Sequence, residues 1–90
     1  MERLHLVVRG EVQGVGFRYF MLNEARRLGL RGWVRNNEGG TVEVVAEGPR
    51  PALDELKRAA ERGPRLARVA RVDVEWGAAT GGLEEFGLEF

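Results

Sequence analysis

Apolar residues recur along the chain with two different spacings, one typical of strands and one typical of helices. The order of the segments with these spacings is the strongest constraint on the fold. Four segments alternate apolar and polar residues with a period of two, which predicts half-buried β-strands at residues 4–8, 32–36, 41–47 and 69–76. Two others repeat apolar residues every three or four positions, which predicts amphipathic helices at residues 17–28 and 52–62. The predicted order is strand, helix, strand, strand, helix, strand.

This order is typical of the ferredoxin-like βαββαβ sandwich, an α+β fold in which two helices cover one face of an antiparallel sheet of four strands. Alternation of Phe86, Leu88 and Phe90 with other residues predicts a further short C-terminal strand, after a stretch at residues 77–82 that we expect to be flexible. A chain of 90 residues buries one core, so residues 1–90 are predicted to form a single domain. The third strand inserts between the first two in this topology. Those two are then parallel, and their C-terminal ends emerge at the same edge of the sheet.

The alternation also predicts which way the side chains of the later strands point. One face of the fourth strand is expected to carry Ala70, Val72, Val74 and Trp76. The outward positions of the third strand are expected to be Thr41, Glu43, Val45 and Glu47. RNA-binding domains of this architecture stack bases on exposed aromatic rings of the central strands. An acidic central strand without such a ring argues against a nucleic-acid-binding module.

The composition excludes several other classes of function. The 14 Lys and Arg residues balance 14 Asp and Glu residues, so no net charge attracts nucleic acid. There is no cysteine and no serine, and the single histidine is His5, which rules out thiolate and Ser-His-Asp sites and a cluster with metal-ligand spacing. No apolar stretch suits a signal peptide or a membrane span. We therefore expect a cytoplasmic monomer that acts on a small molecule without a metal.

The nine residues from Gly10 to Arg18, G-E-V-Q-G-V-G-F-R, connect the first strand to the first helix and predict an anion-binding loop. Glycines let backbone N–H groups point inward, and the start of a helix presents further unpaired donors. The backbone groups assigned to substrate binding are those of Gln13, Gly14, Val15, Gly16 and Phe17. The planar guanidinium of Arg18 can hold two phosphate oxygens at once. The sequence does not match the nucleotide-binding patterns G-x-x-x-x-G-K-[ST] or G-x-G-x-x-G.

The predicted topology brings Asn36, at the end of the second strand, to the same sheet edge as this loop. Taken alone, these residues also permit a simpler interpretation. The glycines could serve a tight connection with Arg18 in solvent, and Asn36 could be a turn-forming residue at the start of the hairpin.

Two long motifs carry a resemblance to a known family: V-x-G-x-V-Q-G-V-G-F-R at residues 8–18 and G-W-V-R-N at residues 32–36. Together with G-T-V-E at residues 40–43 and the stretch at residues 63–69, they resemble the acylphosphatase family over nearly the whole chain. The resemblance implies hydrolysis of acyl phosphates to a carboxylate and inorganic phosphate, with no cofactor. It also implies that Arg18 binds the phosphoryl group and that Asn36 positions the attacking water. Members of that family typically carry Asp or Asn before the glycine of the hairpin turn, where this chain has Gly39, and this difference bears on the rigidity of the turn.

The chemistry agrees with the resemblance, because a carboxylate is a good leaving group and its departure needs no strong general acid. A neutral amide such as that of Asn36 cannot act as a base, so we hypothesise that a phosphate oxygen of the substrate accepts the proton of the water. Two alternatives stay open from sequence. One is an RNA-binding module, and the other is a catalytically inactive relative that serves as a regulatory or carbamoyl-phosphate-handling domain of a larger protein.

Overall fold

The computed structural model describes residues 1–90 and contains two helices and five strands. In chain order these are β1 (Glu2–Glu11), α1 (Phe17–Arg27), β2 (Arg31–Asn36), β3 (Val42–Gly48), α2 (Arg50–Arg62), β4 (Arg68–Ala78) and β5 (Gly87–Leu88). The strands form one sheet in the order β4-β1-β3-β2-β5. The predicted ferredoxin-like order of elements is confirmed. Neither helix has the length and apolar character needed to cross a membrane.

The pairing of β3 with both β1 and β2 decides where the ends of those strands lie. Val44 of β3 is opposite Leu6 of β1 on one side and opposite Val34 of β2 on the other, and both pairings are antiparallel. Strands β1 and β2 therefore run in the same direction and end at the same edge, as predicted. The four longer strands pair antiparallel throughout, as predicted, and the predicted short C-terminal strand, β5, pairs in parallel with β2. The sheet is mixed.

The hydrophobic core lies between the sheet and the two helices. The sheet contributes the inward residues of its central strands, Leu4, Leu6, Val8, Val34, Val42, Val44 and Ala46. The helices contribute Phe17, Met21, Ala25, Leu53, Leu56 and Ala60. Burial of each large aliphatic side chain contributes about 1.5–3 kcal/mol to folding. This packing holds α1, and the loop before it, against the ends of β1 and β2.

A β-bulge in the pairing of β1 with β4 overturns the predicted face of Ala70. Arg9 is opposite Arg71 and Gly10 is opposite Val69, so Ala70 has no partner in the register. The extra residue reverses the alternation. As a result Val69 packs against the core while Ala70 is exposed.

The outward face of β3 also differs from the prediction at two positions. Val45 is 2% exposed and Glu47 is 7% exposed, so neither points into solvent. Glu47 is covered by the segment after β4, where Thr80 and Gly81 donate backbone hydrogen bonds to its carboxylate. The expectation of a flexible stretch at residues 77–82 does not hold for its first residues, because β4 continues to Ala78 and the next residues are anchored on Glu47.

Candidate active site

The connection between β1 and α1 leaves a row of backbone donors without partners. No N–H group of residues 12–19 donates a hydrogen bond to an acceptor of the protein. The last three belong to the first turn of α1, whose N-cap is Gly16 and supplies no side-chain acceptor. The dipole of the helix adds partial positive charge at this end. The loop is therefore suited to bind an anion.

Two glycines give the loop its shape. Gly14 has φ 75° and Gly16 has φ 79°, in the left-handed region that side-chain-bearing residues rarely adopt. A Cβ atom at either position would meet no atom within 4 Å. The backbone conformation, and not a lack of space, requires glycine here. An L-residue at these angles costs about 1–2 kcal/mol.

Arg18 lies in the first turn of α1 beside these donors. Its guanidinium forms no ion pair with any carboxylate of the protein. The one aromatic contact of its guanidinium is with the ring of Phe90, whose centroid lies 5.7 Å away. The charge of Arg18 is thus available to a ligand.

Asn36 is the last residue of β2 and lies opposite Val42 of β3. Its side-chain oxygen, Oδ1, is buried and has no hydrogen-bond partner, which is true of no other buried side-chain oxygen or nitrogen in the protein. Leaving a buried acceptor unpaired costs about 1–3 kcal/mol. This acceptor can take a hydrogen bond from a water molecule or from a ligand in the cavity.

The loop and Asn36 enclose one small cavity. It has a volume of about 140 Å³ and is lined by Val12, Gly14, Gly16, Phe17, Arg18, Tyr19 and Asn36. Drug-sized ligands occupy pockets of about 300–1,000 Å³, so this cavity suits a much smaller group, such as a phosphate. No carboxylate is among the lining residues. Depressions of about 260–270 Å³ occur elsewhere on the surface, and they contain neither Arg18 nor Asn36.

Comparison with known proteins identifies the family. A family model described as Acylphosphatase matches residues 4–88. The chain belongs to the acylphosphatase family. The acylphosphatase of Anaeromyxobacter sp. (strain Fw109-5) is 53% identical over 88 residues, which cover 98% of this chain and 95% of that protein.

Solved structures agree with this membership in the family. The crystal structure of acylphosphatase from Bacillus subtilis has a TM-score of 0.96 and 38% identity to this chain, with 100% of both chains covered. The crystal structure of full-length HypF in the phosphate- and nucleotide-bound form has a TM-score of 0.88 and 25% identity, and the match covers 100% of this chain but 12% of that one. The same fold therefore occurs within a much longer protein.

The structure brings most of the predicted site residues of this family member together. Arg18, Asn36, Gly14, Gly16 and Phe17 line one cavity, whereas Gln13 and Val15 do not line it. The ring of Phe17 is 1% exposed and belongs to the core, so only its backbone can meet a ligand. The roles assigned to all of these residues stay predictions.

Two of the predicted substrate-binding residues, Val15 and Gln13, use their side chains for contacts within the protein. The side chain of Val15 packs against the core. The side-chain amide of Gln13 donates hydrogen bonds of 2.8 Å to the backbone oxygens of Asn37 and Thr41. The backbone N–H groups of both residues have no partner, as the prediction of an anion-binding loop requires.

Sequence reasoning missed Val12 and Tyr19 as cavity residues. Val12 is 1% exposed and belongs to the hydrophobic core, and no periodicity marks it because it lies in the loop. Tyr19 is 59% exposed and directly follows Arg18 in the first helical turn. An exposed aromatic residue next to the expected phosphate ligand is the signal that could have identified it.

The charged groups on the open face of the sheet lie outside the cavity and are largely paired with one another. His5 Nε2 lies 2.6 Å from Oε2 of Glu43, and the other oxygen of this carboxylate, Oε1, accepts a 2.9 Å hydrogen bond from Arg35. Burial raises the pKa of Glu43, but the hydrogen bonds from His5 and Arg35 outweigh it and the pKa is lowered. No group of three or more His, Asp or Glu side chains is arranged to hold a metal ion.

Proposed function

We propose that this protein hydrolyses acyl phosphates to a carboxylate and inorganic phosphate in the cavity between the loop of residues 12–17 and Asn36. One observation carries the proposal. A set of unpaired backbone donors with Arg18 and a buried, unpaired acceptor on Asn36 line the same cavity of about 140 Å³. The donors match a phosphoryl group, and the acceptor matches the hydrogen of a water molecule.

The loop and Arg18 bind the phosphoryl oxygens in this proposal. The transition state of phosphoryl transfer is loose, with negative charge on the equatorial oxygens of the phosphoryl group. Donors that are already aligned stabilise that charge without reorganisation, and removal of one such donor typically lowers kcat by about 10²–10³-fold. The positive φ of Gly14 and Gly16 supports this alignment.

Asn36 orients the attacking water. Its Oδ1 accepts one hydrogen bond from the water, whose oxygen forms the new bond to phosphorus as the bond from phosphorus to the acyl oxygen breaks. The electron pair of the broken bond leaves on the carboxylate. The proton of the water passes to a phosphoryl oxygen of the substrate, because no carboxylate, histidine or lysine lines the cavity to accept it.

The acyl group must lie at the mouth of the cavity once the phosphoryl group occupies the loop. Its carboxylate leaves from there without an acid from the protein. Tyr19 is the exposed aromatic residue there. We therefore place the acyl group beside Tyr19.

The test is hydrolysis of benzoyl phosphate and acetyl phosphate by the wild type, Arg18→Ala and Asn36→Ala, without added metal. We expect an active wild type and losses of at least about 100-fold in kcat/KM for both variants. Arg58→Ala and Asn23→Ala, which change exposed residues of the same types on the two helices, serve as controls that retain activity. An inactive wild type overturns the assignment.

The alternative of an RNA-binding module is disfavoured by the open face of the sheet. Ion pairs on that face engage His5 with Glu43, and Arg9 and Arg71 with Asp73. These arginines are not free for phosphates of a nucleic acid. Filter binding of single-stranded RNA at low salt tests this, and tight binding would favour the alternative.

The other alternative is an inactive domain. The likeness to HypF is relevant to it, because the match covers 12% of that longer chain and shows this fold as one part of a larger protein. The hydrolysis assay separates it from the enzyme. A monomeric state and a cytoplasmic location stay predictions. Sedimentation of the purified protein tests the first of them.

A further inference from the structure

One side chain forms all of the hydrogen bonds between the candidate phosphate loop and the turn that joins β2 to β3. Gln13 Nε2 lies 2.8 Å from the backbone oxygen of Asn37 and 2.8 Å from that of Thr41. No other hydrogen bond joins residues 12–16 to residues 37–41. The two N–H donors of a single amide nitrogen are matched to two carbonyls of the turn.

The turn on the far side of this contact is itself well anchored. Asn37 donates its backbone N–H to the oxygen of Thr41 at 2.9 Å and its side-chain N–H to the hydroxyl of Thr41 at 3.1 Å. Arg35 Nε donates to Oδ1 of Asn37 at 3.0 Å. The turn is thus held at both ends in spite of Gly39 at its tip. The hydrogen bond from Gln13 to the backbone oxygen of Asn37 therefore also restricts the position of Asn36, the preceding residue in the chain.

The sheet alone does not fix the distance between the two halves of the candidate site. The loop follows β1 and Asn36 ends β2, and these strands are separated by β3. Ladder hydrogen bonds therefore connect the two halves only through an intervening strand. The catalytic geometry proposed above needs the loop donors and Oδ1 of Asn36 at a defined separation, and a misplacement of about 1 Å can lower the rate by about 10²-fold.

We propose that Gln13 is a positioning residue that aligns the phosphate-binding loop with Asn36, so that the water held by Asn36 faces the phosphorus atom. This inference rests on the proposed function. In this proposal the side chain of Gln13 does not touch the substrate. That side chain affects the rate of attack by water, whereas the backbone of the loop and Arg18 bind the phosphate.

The experiment compares the wild type with Gln13→Met, which keeps the length of the side chain and removes both donors. We expect kcat for benzoyl phosphate to fall by about 10–100-fold, while the inhibition constant of inorganic phosphate changes by less than about 3-fold. The same substitution in an Asn36→Ala background is expected to lower kcat no further, because the alignment that Gln13 serves is already lost. An unchanged kcat, or equal losses in both backgrounds, overturns the positioning role.

A control separates this effect from a loss of stability. Glu47→Gln weakens a buried contact remote from the cavity, and at temperatures well below its Tm we expect it to retain the kcat of the wild type. Activity in the wild type together with loss in Asn36→Ala supports the proposed function independently of Gln13. An inactive wild type overturns the proposed function and this inference with it.

A measurement on the wild type keeps the inference testable if Gln13→Met does not fold. Gln13 is the only glutamine of the chain, so labelling with ¹⁵N-glutamine gives one pair of side-chain amide signals. We expect both hydrogens to be protected from exchange with solvent, because each donates to a turn carbonyl. Exchange as fast as that of a free amide overturns the contact.

Discussion

The carboxylate of Glu47 accepts two hydrogen bonds from Thr80, one from its backbone N–H at 2.9 Å and one from its hydroxyl at 3.0 Å. Gly81 N–H at 3.1 Å and Arg3 Nη1 at 3.4 Å complete the contacts of this carboxylate. The segment after β4 is thereby held across the outward face of β3. A buried charge that accepts several hydrogen bonds is a strong contact whose removal leaves donors unpaired.

Glu47→Gln is expected to destabilise the protein by about 1–3 kcal/mol at neutral pH. Glutamine offers one acceptor oxygen where the carboxylate offers two, and its amide nitrogen faces donors. Thermal unfolding measures the loss, which corresponds to about 4–8 °C in Tm for each kcal/mol in a domain of this size. An unchanged Tm contradicts the anchoring role.

This stabilisation is expected to vanish in acid. The backbone hydrogen bond from Thr80 is the largest cause that lowers the pKa of Glu47 in the folded state, and burial only partly opposes it. A lowered pKa stabilises the fold above the pKa of the unfolded state, and the contribution is lost as pH falls through the folded pKa. The free energies of unfolding of the wild type and Glu47→Gln should therefore converge as pH falls from about 4.3, the ordinary pKa of a glutamate, through the lower pKa of the folded state. A constant difference over that range would show that the charge is not responsible.

Gly16→Ala is expected to weaken phosphate binding and to destabilise the fold by about 1–2 kcal/mol. Its φ of 79° disfavours an L-residue, so relaxation of the strain turns the N–H groups away from the cavity. Inhibition by inorganic phosphate and urea unfolding measure the two effects. Gly77→Ala is the matched control, because Gly77 also has open space at its Cβ and has no positive φ. Equal results for the two variants would remove the conformational argument.

Arg18→Lys is expected to lose most of the activity although the charge remains. Lysine is a point charge and does not copy the planar fork that binds two phosphoryl oxygens. We expect kcat/KM to fall by about 10²-fold or more. Steady-state kinetics with acetyl phosphate measure this, with Arg58→Lys as the control on an exposed helical surface. Activity close to that of the wild type would show that charge alone suffices.

Tyr19→Ala is expected to affect large acyl groups more than small ones. The ring is 59% exposed at the cavity and can contact an aromatic acyl group, a contact that contributes about 0.5–1.5 kcal/mol. The ratio of kcat/KM for benzoyl phosphate to that for acetyl phosphate should fall by about 2–10-fold. Leu66→Ala, at a residue 74% exposed that does not line the cavity, should leave the ratio unchanged. An unchanged ratio in Tyr19→Ala places the acyl group elsewhere.

Local sequence patterns were sufficient to predict the secondary-structure elements and to place Arg18 and Asn36 at the same edge of the sheet, where they line one cavity. Hydrophobic periods marked the strands and helices, and the split βαβ order required β1 and β2 to end at one edge. The same reasoning failed at Ala70, because a bulge in the pairing of β4 with β1 shifts the register by one residue, and the alternation within one strand does not show how it pairs with another. It also failed at Glu47, where alternation predicts the face of the sheet but not the segment that covers it.

The sequence by itself determined the order of elements, the glycine-rich connection between β1 and α1 and the residue types available for chemistry, because these depend on near neighbours in the chain. Only the tertiary structure decided which polar atoms are paired. The side chain of Gln13 contacts backbone oxygens 24 and 28 residues away, and Oδ1 of Asn36 is left buried without a partner. Hydrogen bonding and desolvation depend on atoms brought together by packing across the sheet, and no local pattern records them.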